Sequence, residues 1–107
     1  MKGVYINFFV TERAEHDGIL LYVWLLQQAK KIGLHGGTAV RGVAGFGRHG
    51  KMHEESFFEL APDLPVEVGF VATESEVEKL LGVIESARLR ILYTRDPIEF
   101  GVTGGPT

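Results

Sequence analysis

The chain has 107 residues, 45% of them apolar and 23% charged, with a formal net charge of −3. That length suffices for one domain with its own core, and the balance lacks the basic excess of a nucleic-acid binder. Because cysteine is absent, disulfide frameworks and thiolate chemistry are excluded.

Residues 4–10 read as a strand, with Val4, Ile6, Phe8 and Val10 on one face and Tyr5, Asn7 and Phe9 on the other. Both faces are partly apolar, which predicts a central strand. Asp17 is read as the N-cap of a helix running to Ile32, with Gly33 as its left-handed stop. Residues 19–26 form an apolar collar rather than a stripe. Either Tyr22 and Trp24 are partly exposed, or this helix or the sheet beneath it meets another subunit. The oligomer is the favoured reading.

Residues 36–46 are expected to form the second strand, weakened by Gly42 and Gly45, with a loop over 47–53. Residues 56–60 are strand-like, either a separate strand or one arm of a long hairpin excursion. Pro62-Asp63 turns the chain, and residues 64–72 form the third strand. Thr73 and Glu76 make a capping box ahead of an amphipathic helix bearing Val77, Leu80, Leu81, Ile84 and Ala87. Leu89, Ile91 and Tyr93 then alternate with arginines as a final strand. From Asp96 onward no period is visible, so residues 96–107 are read as a mobile or docked tail.

The order β-α-β-β-α-β predicts an α+β, ferredoxin-like fold: an antiparallel sheet, two helices on one face, and a long hairpin loop after the second strand. A single domain over residues 1–107 is expected. The longest apolar run, residues 19–26, is far short of the ~20 residues of a membrane span. No leader pattern opens the chain, so a soluble, cytoplasmic protein without membrane insertion is expected.

The densest chemistry lies in residues 41–53, RGVAGFGRHGKMH, where four glycines alternate with basic and aromatic side chains. Glycine lets a backbone approach a ligand closely, and Arg, Lys and His supply donors to an anion. Phosphate or carboxylate binding at Arg41, Arg48 and Lys51 is weighed against a solvated hairpin tip carrying incidental charge.

At these residues the sequence resembles the PII-like signalling proteins. It is most similar to a small branch sharing R-G-[IV]-x-G-F-G, a hydrophobe-His pair and D-L-P. Here those are Arg41-Gly42-Val43-Ala44-Gly45-Phe46-Gly47, Met52-His53 and Asp63-Leu64-Pro65. The resemblance implies a trimer with sheets facing inward, and small effectors, often adenine nucleotides, in clefts between subunits. It also implies a loop after the second strand that reports the bound state to a partner protein. Gly45-Phe46-Gly47-Arg48 looks like the start of that loop. One departure is clear: the Gly- and Lys-rich phosphate turn that PII proteins carry before the last strand is replaced by Glu85-Ser86-Ala87-Arg88-Leu89-Arg90.

The candidate ligand-binding residues are therefore Arg41, Gly45, Phe46, Gly47, Arg48, Lys51 and His53. The expected ligand is a small anionic effector, with adenine nucleotide as one candidate, bound by a homo-oligomer without a cofactor. Loop 47–60 is the expected contact for a protein partner. Two alternatives stay open. His49 and His53 beside Glu54 and Glu55 give a weak case for a divalent-metal-binding trimer, and the oligomer cleft could house a small enzyme. A non-enzyme is the favoured reading, since no serine has an evident base and no metal-ligand spacing is recognisable.

Overall fold

The computed structural model describes residues 1–46 and 63–105. Its elements are β1 (Lys2–Thr11), β2 (Glu15–His16), β3 (Ile19–Leu20), α1 (Leu21–Ile32), β4 (Gly37–Arg41), β5 (Pro65–Ala72), α2 (Glu74–Ser86) and β6 (Leu92–Glu99). The main sheet has the order β4-β5-β1-β6 and every pairing in it is antiparallel. Apart from the small β2–β3 hairpin, this is the expected ferredoxin-like arrangement.

Alternation along β1 and β5 sends one set of side chains to the helices. Val4, Ile6, Phe8 and Val10 meet Val66, Val68, Phe70 and Ala72 there, beneath Leu21, Trp24, Leu25 and Ala29 of α1 and Val77, Leu80 and Ile84 of α2. All are buried, and each large apolar side chain contributes about 1.5–3 kcal/mol on leaving water. The Phe8 ring meets Phe70 edge-on at 6.2 Å between centroids.

The start of α1 differs from the expectation. Asp17 does not cap it. Asp17 (φ 52°) and Gly18 (φ 80°) form the two-residue loop of the β2–β3 hairpin, the backbone that an Asp-Gly pair favours between antiparallel strands. The helix begins at Leu21, whose N–H donates to the Ala14 carbonyl at 2.7 Å. Residues 19 and 20 thus belong to the hairpin, and the apolar collar resolves into a strand end plus a stripe of Leu21, Trp24, Leu25 and Ala29. Gly33 stops α1 in the left-handed region, as expected (φ 108°).

Three other boundaries shift. β4 ends at Arg41 because Pro65, opposite Gly42, offers a carbonyl but no N–H, so the ladder closes with Gly42 N–H on Pro65 O at 2.7 Å. α2 ends at Ser86 in a Schellman turn that occupies the residues expected to open the last strand: Leu89 N–H reaches Ile84 O (3.3 Å), Arg88 N–H reaches Glu85 O (2.9 Å), and Arg88 takes φ 59°. The last strand therefore starts at Leu92 rather than Leu89. It also runs on through Asp96 and Pro97 to Glu99, pairing with Lys2 at its end. Pro97 is tolerated because β6 is an edge strand.

Among the described residues, no helix lies on the other sheet face. Tyr5, Asn7 and Phe9 of β1, Val40 of β4, Glu67 and Val71 of β5 and Leu92 of β6 share it by register. Tyr5, Val40, Val71 and Leu92 are 38–58% exposed. Tyr5 lies over Gly69, where a β-carbon would come within 2.7 Å of its Cζ. Asn7 donates through Nδ2 to Glu67 Oε1 at 2.8 Å, while its Oδ1 is buried with no partner among the described residues.

Candidate functional site

The two feet of the predicted loop converge beside the end of β1. Arg41 closes β4, and its guanidinium meets the Glu12 carboxylate at 2.6 Å. Glu12 stands one residue beyond β1, and its backbone N–H donates to Leu64 O at 2.8 Å. The next N–H, that of Arg13, donates to Asp63 Oδ1 at 2.9 Å. Each N–H is satisfied by the far foot, so the D-L-P segment is the stop that fixes where the chain re-enters the sheet.

The near foot packs on the same segment. A β-carbon on Gly42 would lie 2.9 Å from Pro65 Cγ, and one on Gly45 would lie 3.2 Å from the same atom. Close approach of the Pro65 ring thus accounts for two of the four glycines. Beyond them Phe46 is 69% exposed, a large aromatic surface at the mouth of the loop. Of the predicted site residues, the structure brings Arg41, Gly45 and Phe46 to this foot. Gly47, Arg48, Lys51 and His53 lie outside the described residues, as do the strand-like residues 56–60, the metal candidates His49, Glu54 and Glu55, and the loop over 47–60.

Sequence reasoning missed Glu12 as a partner of Arg41. Its only signal there is an acidic residue just past the first strand, which gains meaning once the sheet order sets the end of β1 close to that of β4.

The arginines near the last strand behave differently. Arg95 points to the helix side and is held by Glu74 (2.7 Å) and Glu78 (3.1 Å). The hydrogen bond it donates to Glu78, followed by the charges of Glu74 and Glu78, raises the guanidinium pKa against the opposing effect of desolvation. Arg95 stays charged and is already paired with two carboxylates, whereas Arg88 and Arg90 are exposed on the turn after α2. Among the described residues no group of three or more His, Asp or Glu could hold a metal. His16 instead meets Trp24 edge-on at 4.9 Å.

The family profile described as DUF190, Uncharacterized ACR, COG1993, matches residues 3–100. The chain belongs to this family. A UPF0166 protein of Aquifex aeolicus is 28% identical over 96 residues, covering 90% of this chain and 91% of that protein. A second UPF0166 protein, from Methanocaldococcus jannaschii, is 27% identical over 81 residues, covering 76% and 74%. Among solved structures, TTHA0516 of Thermus thermophilus, assigned as PII-like, superposes with a TM-score of 0.64 at 12% identity, covering 91% of this chain and 87% of that one. CPII of Thiomonas intermedia, a nitrogen regulatory PII-like protein bound to ADP, AMP and bicarbonate, also gives 0.64, at 20% identity and 92% and 87% coverage. The DUF190 chain therefore has the PII-like fold. No described helix is long and apolar enough to cross a membrane.

Proposed function

We propose that this DUF190 protein is a cytoplasmic, non-catalytic regulator that binds a small anionic effector at the loop foot and reports it to a protein partner through residues 47–60. The observation that carries this reading is Arg41. It closes β4 at the near foot of the loop, five residues before exposed Phe46 (46 − 41), and the end of β1 holds it on a fold shared with a protein that binds ADP, AMP and bicarbonate. An arginine fork suits phosphate or carboxylate, and an aromatic face suits a base.

The sheet face that no described helix covers supports a homo-oligomer, and a trimer is the arrangement proposed. Its exposed Tyr5, Val40, Val71 and Leu92 would be withdrawn from water there, and the clefts between subunits would complete the effector site.

The mechanism is conformational. The effector shifts the loop only insofar as it binds one loop arrangement more tightly than the other. A thermal-shift screen of the purified protein against ADP, AMP, cyclic nucleotides, bicarbonate, phosphate and divalent metals tests the reading. A concentration-dependent rise with a nucleotide or bicarbonate is expected. A rise with metal alone would overturn it in favour of a metal-binding oligomer, and no rise at all would leave it without an effector.

A further inference from the structure

Glu12 is tied to both feet of the loop at once. Its carboxylate holds the Arg41 guanidinium at the near foot (2.6 Å), and its own N–H holds Leu64 at the far foot (2.8 Å). The neighbouring N–H of Arg13 is on Asp63 Oδ1 (2.9 Å), so the far foot keeps a second tie that does not involve Arg41. A carboxylate on Arg41 offers the same acceptor oxygens that an anionic ligand would bring.

The geometry points to Glu12 as an internal competitor for the effector: its carboxylate occupies Arg41 in the ligand-free protein, and an incoming anion must displace it. This inference rests on the effector reading above. Displacement removes the side-chain tie on Arg41 and leaves the bonds made by backbone N–H groups at both feet: Gly42 to Pro65 O, Glu12 to Leu64 O and Arg13 to Asp63 Oδ1. Occupancy of the site is thereby converted into loss of the side-chain tie between the near foot and the end of β1. Because the competitor is part of the chain, it sets a threshold concentration, and weak anions fail to take Arg41 from it.

The test is the affinity of wild type, Glu12→Gln, Glu12→Ala and Arg41→Ala for ADP, AMP, bicarbonate and inorganic phosphate by isothermal titration, with melting curves to verify folding. Removing the competing charge is expected to tighten binding about two- to fivefold, the range an exposed ion pair supports. Arg41→Ala is expected to weaken it at least tenfold. A structural brace predicts the opposite sign, since its loss loosens the site. If wild type binds, Arg41→Ala loses binding and both Glu12 variants are unchanged or weaker, the competitor role is overturned and the effector reading stands. If neither wild type nor the Glu12 variants bind any of the four probes, the effector reading itself fails and the competitor role falls with it. Binding by the Glu12 variants alone would show the latch to be dominant.

Discussion

Pro65 presses on Gly42: its Cγ lies 2.9 Å from where a β-carbon on residue 42 would sit, and its carbonyl accepts the Gly42 N–H. Two motifs separated in sequence, R-G-V-A-G and D-L-P, are in this way one packing unit at the base of the loop. Gly42→Ala must push the ring or the strand aside. It is expected to destabilise the fold by about 1–3 kcal/mol, as overpacking does. Pro65→Ala should recover part of that loss in the double variant. Denaturant unfolding of the four proteins measures the coupling, and additive effects would mean that the contact is not limiting.

Arg88 holds the left-handed position of the Schellman turn that ends α2 (φ 59°), where glycine is the usual occupant. A left-handed non-glycine residue costs roughly 1–2 kcal/mol. Replacement by glycine recovers that strain but adds about 0.4–1 kcal/mol of unfolded-state entropy. Arg88→Gly should therefore stabilise by about 0.5–1 kcal/mol, a rise of a few degrees in melting temperature for a domain of this size. A fall in Tm would mean that the Arg88 side chain makes a stabilising contact that outweighs its backbone strain.

Val71 stands 42% exposed on the sheet face opposite α1 and α2. Val71→Arg sets a charge on that face without touching the core beneath it. If the face joins subunits, light scattering will show the variant as a monomer with an unchanged circular-dichroism spectrum. An oligomer of unaltered size would move the subunit contact elsewhere.

Arg48 lies in the G-F-G-R stretch, outside the described residues. Arg48→Ala is expected to weaken effector binding at least tenfold while leaving the oligomer intact, read by titration and light scattering on the same sample. Loss of the oligomer would instead mark Arg48 as a subunit contact.

Local rules are legible in this sequence and tertiary ones are not. The capping box stands on the legible side: Thr73 Oγ1 accepts from Glu76 N–H (3.2 Å) and Glu76 Oε1 accepts from Thr73 N–H (2.9 Å), both within four residues. Asp17 misleads because Asp-Gly serves equally as a helix cap and as a hairpin loop, and only the pairing of Glu15 with Leu20 decides between them. Residues 96–99 look structureless because Pro97 breaks a strand pattern, a penalty that vanishes at a sheet edge. Arg41 stands out through its glycine-rich surroundings, but its partner Glu12 does not. That pair exists because the sheet order brings together two strand ends 29 positions apart (41 − 12).

Hydrogen exchange with and without saturating ADP and bicarbonate tests the central claim most directly, because it reports where binding is felt as well as whether it occurs. The account predicts altered protection in residues 41–65 and at the end of β1 around Glu12, with α2 and β6 unchanged. Unaltered exchange at the loop and its feet, or protection confined to the turn at Arg88 and Arg90, would contradict an effector site at Arg41.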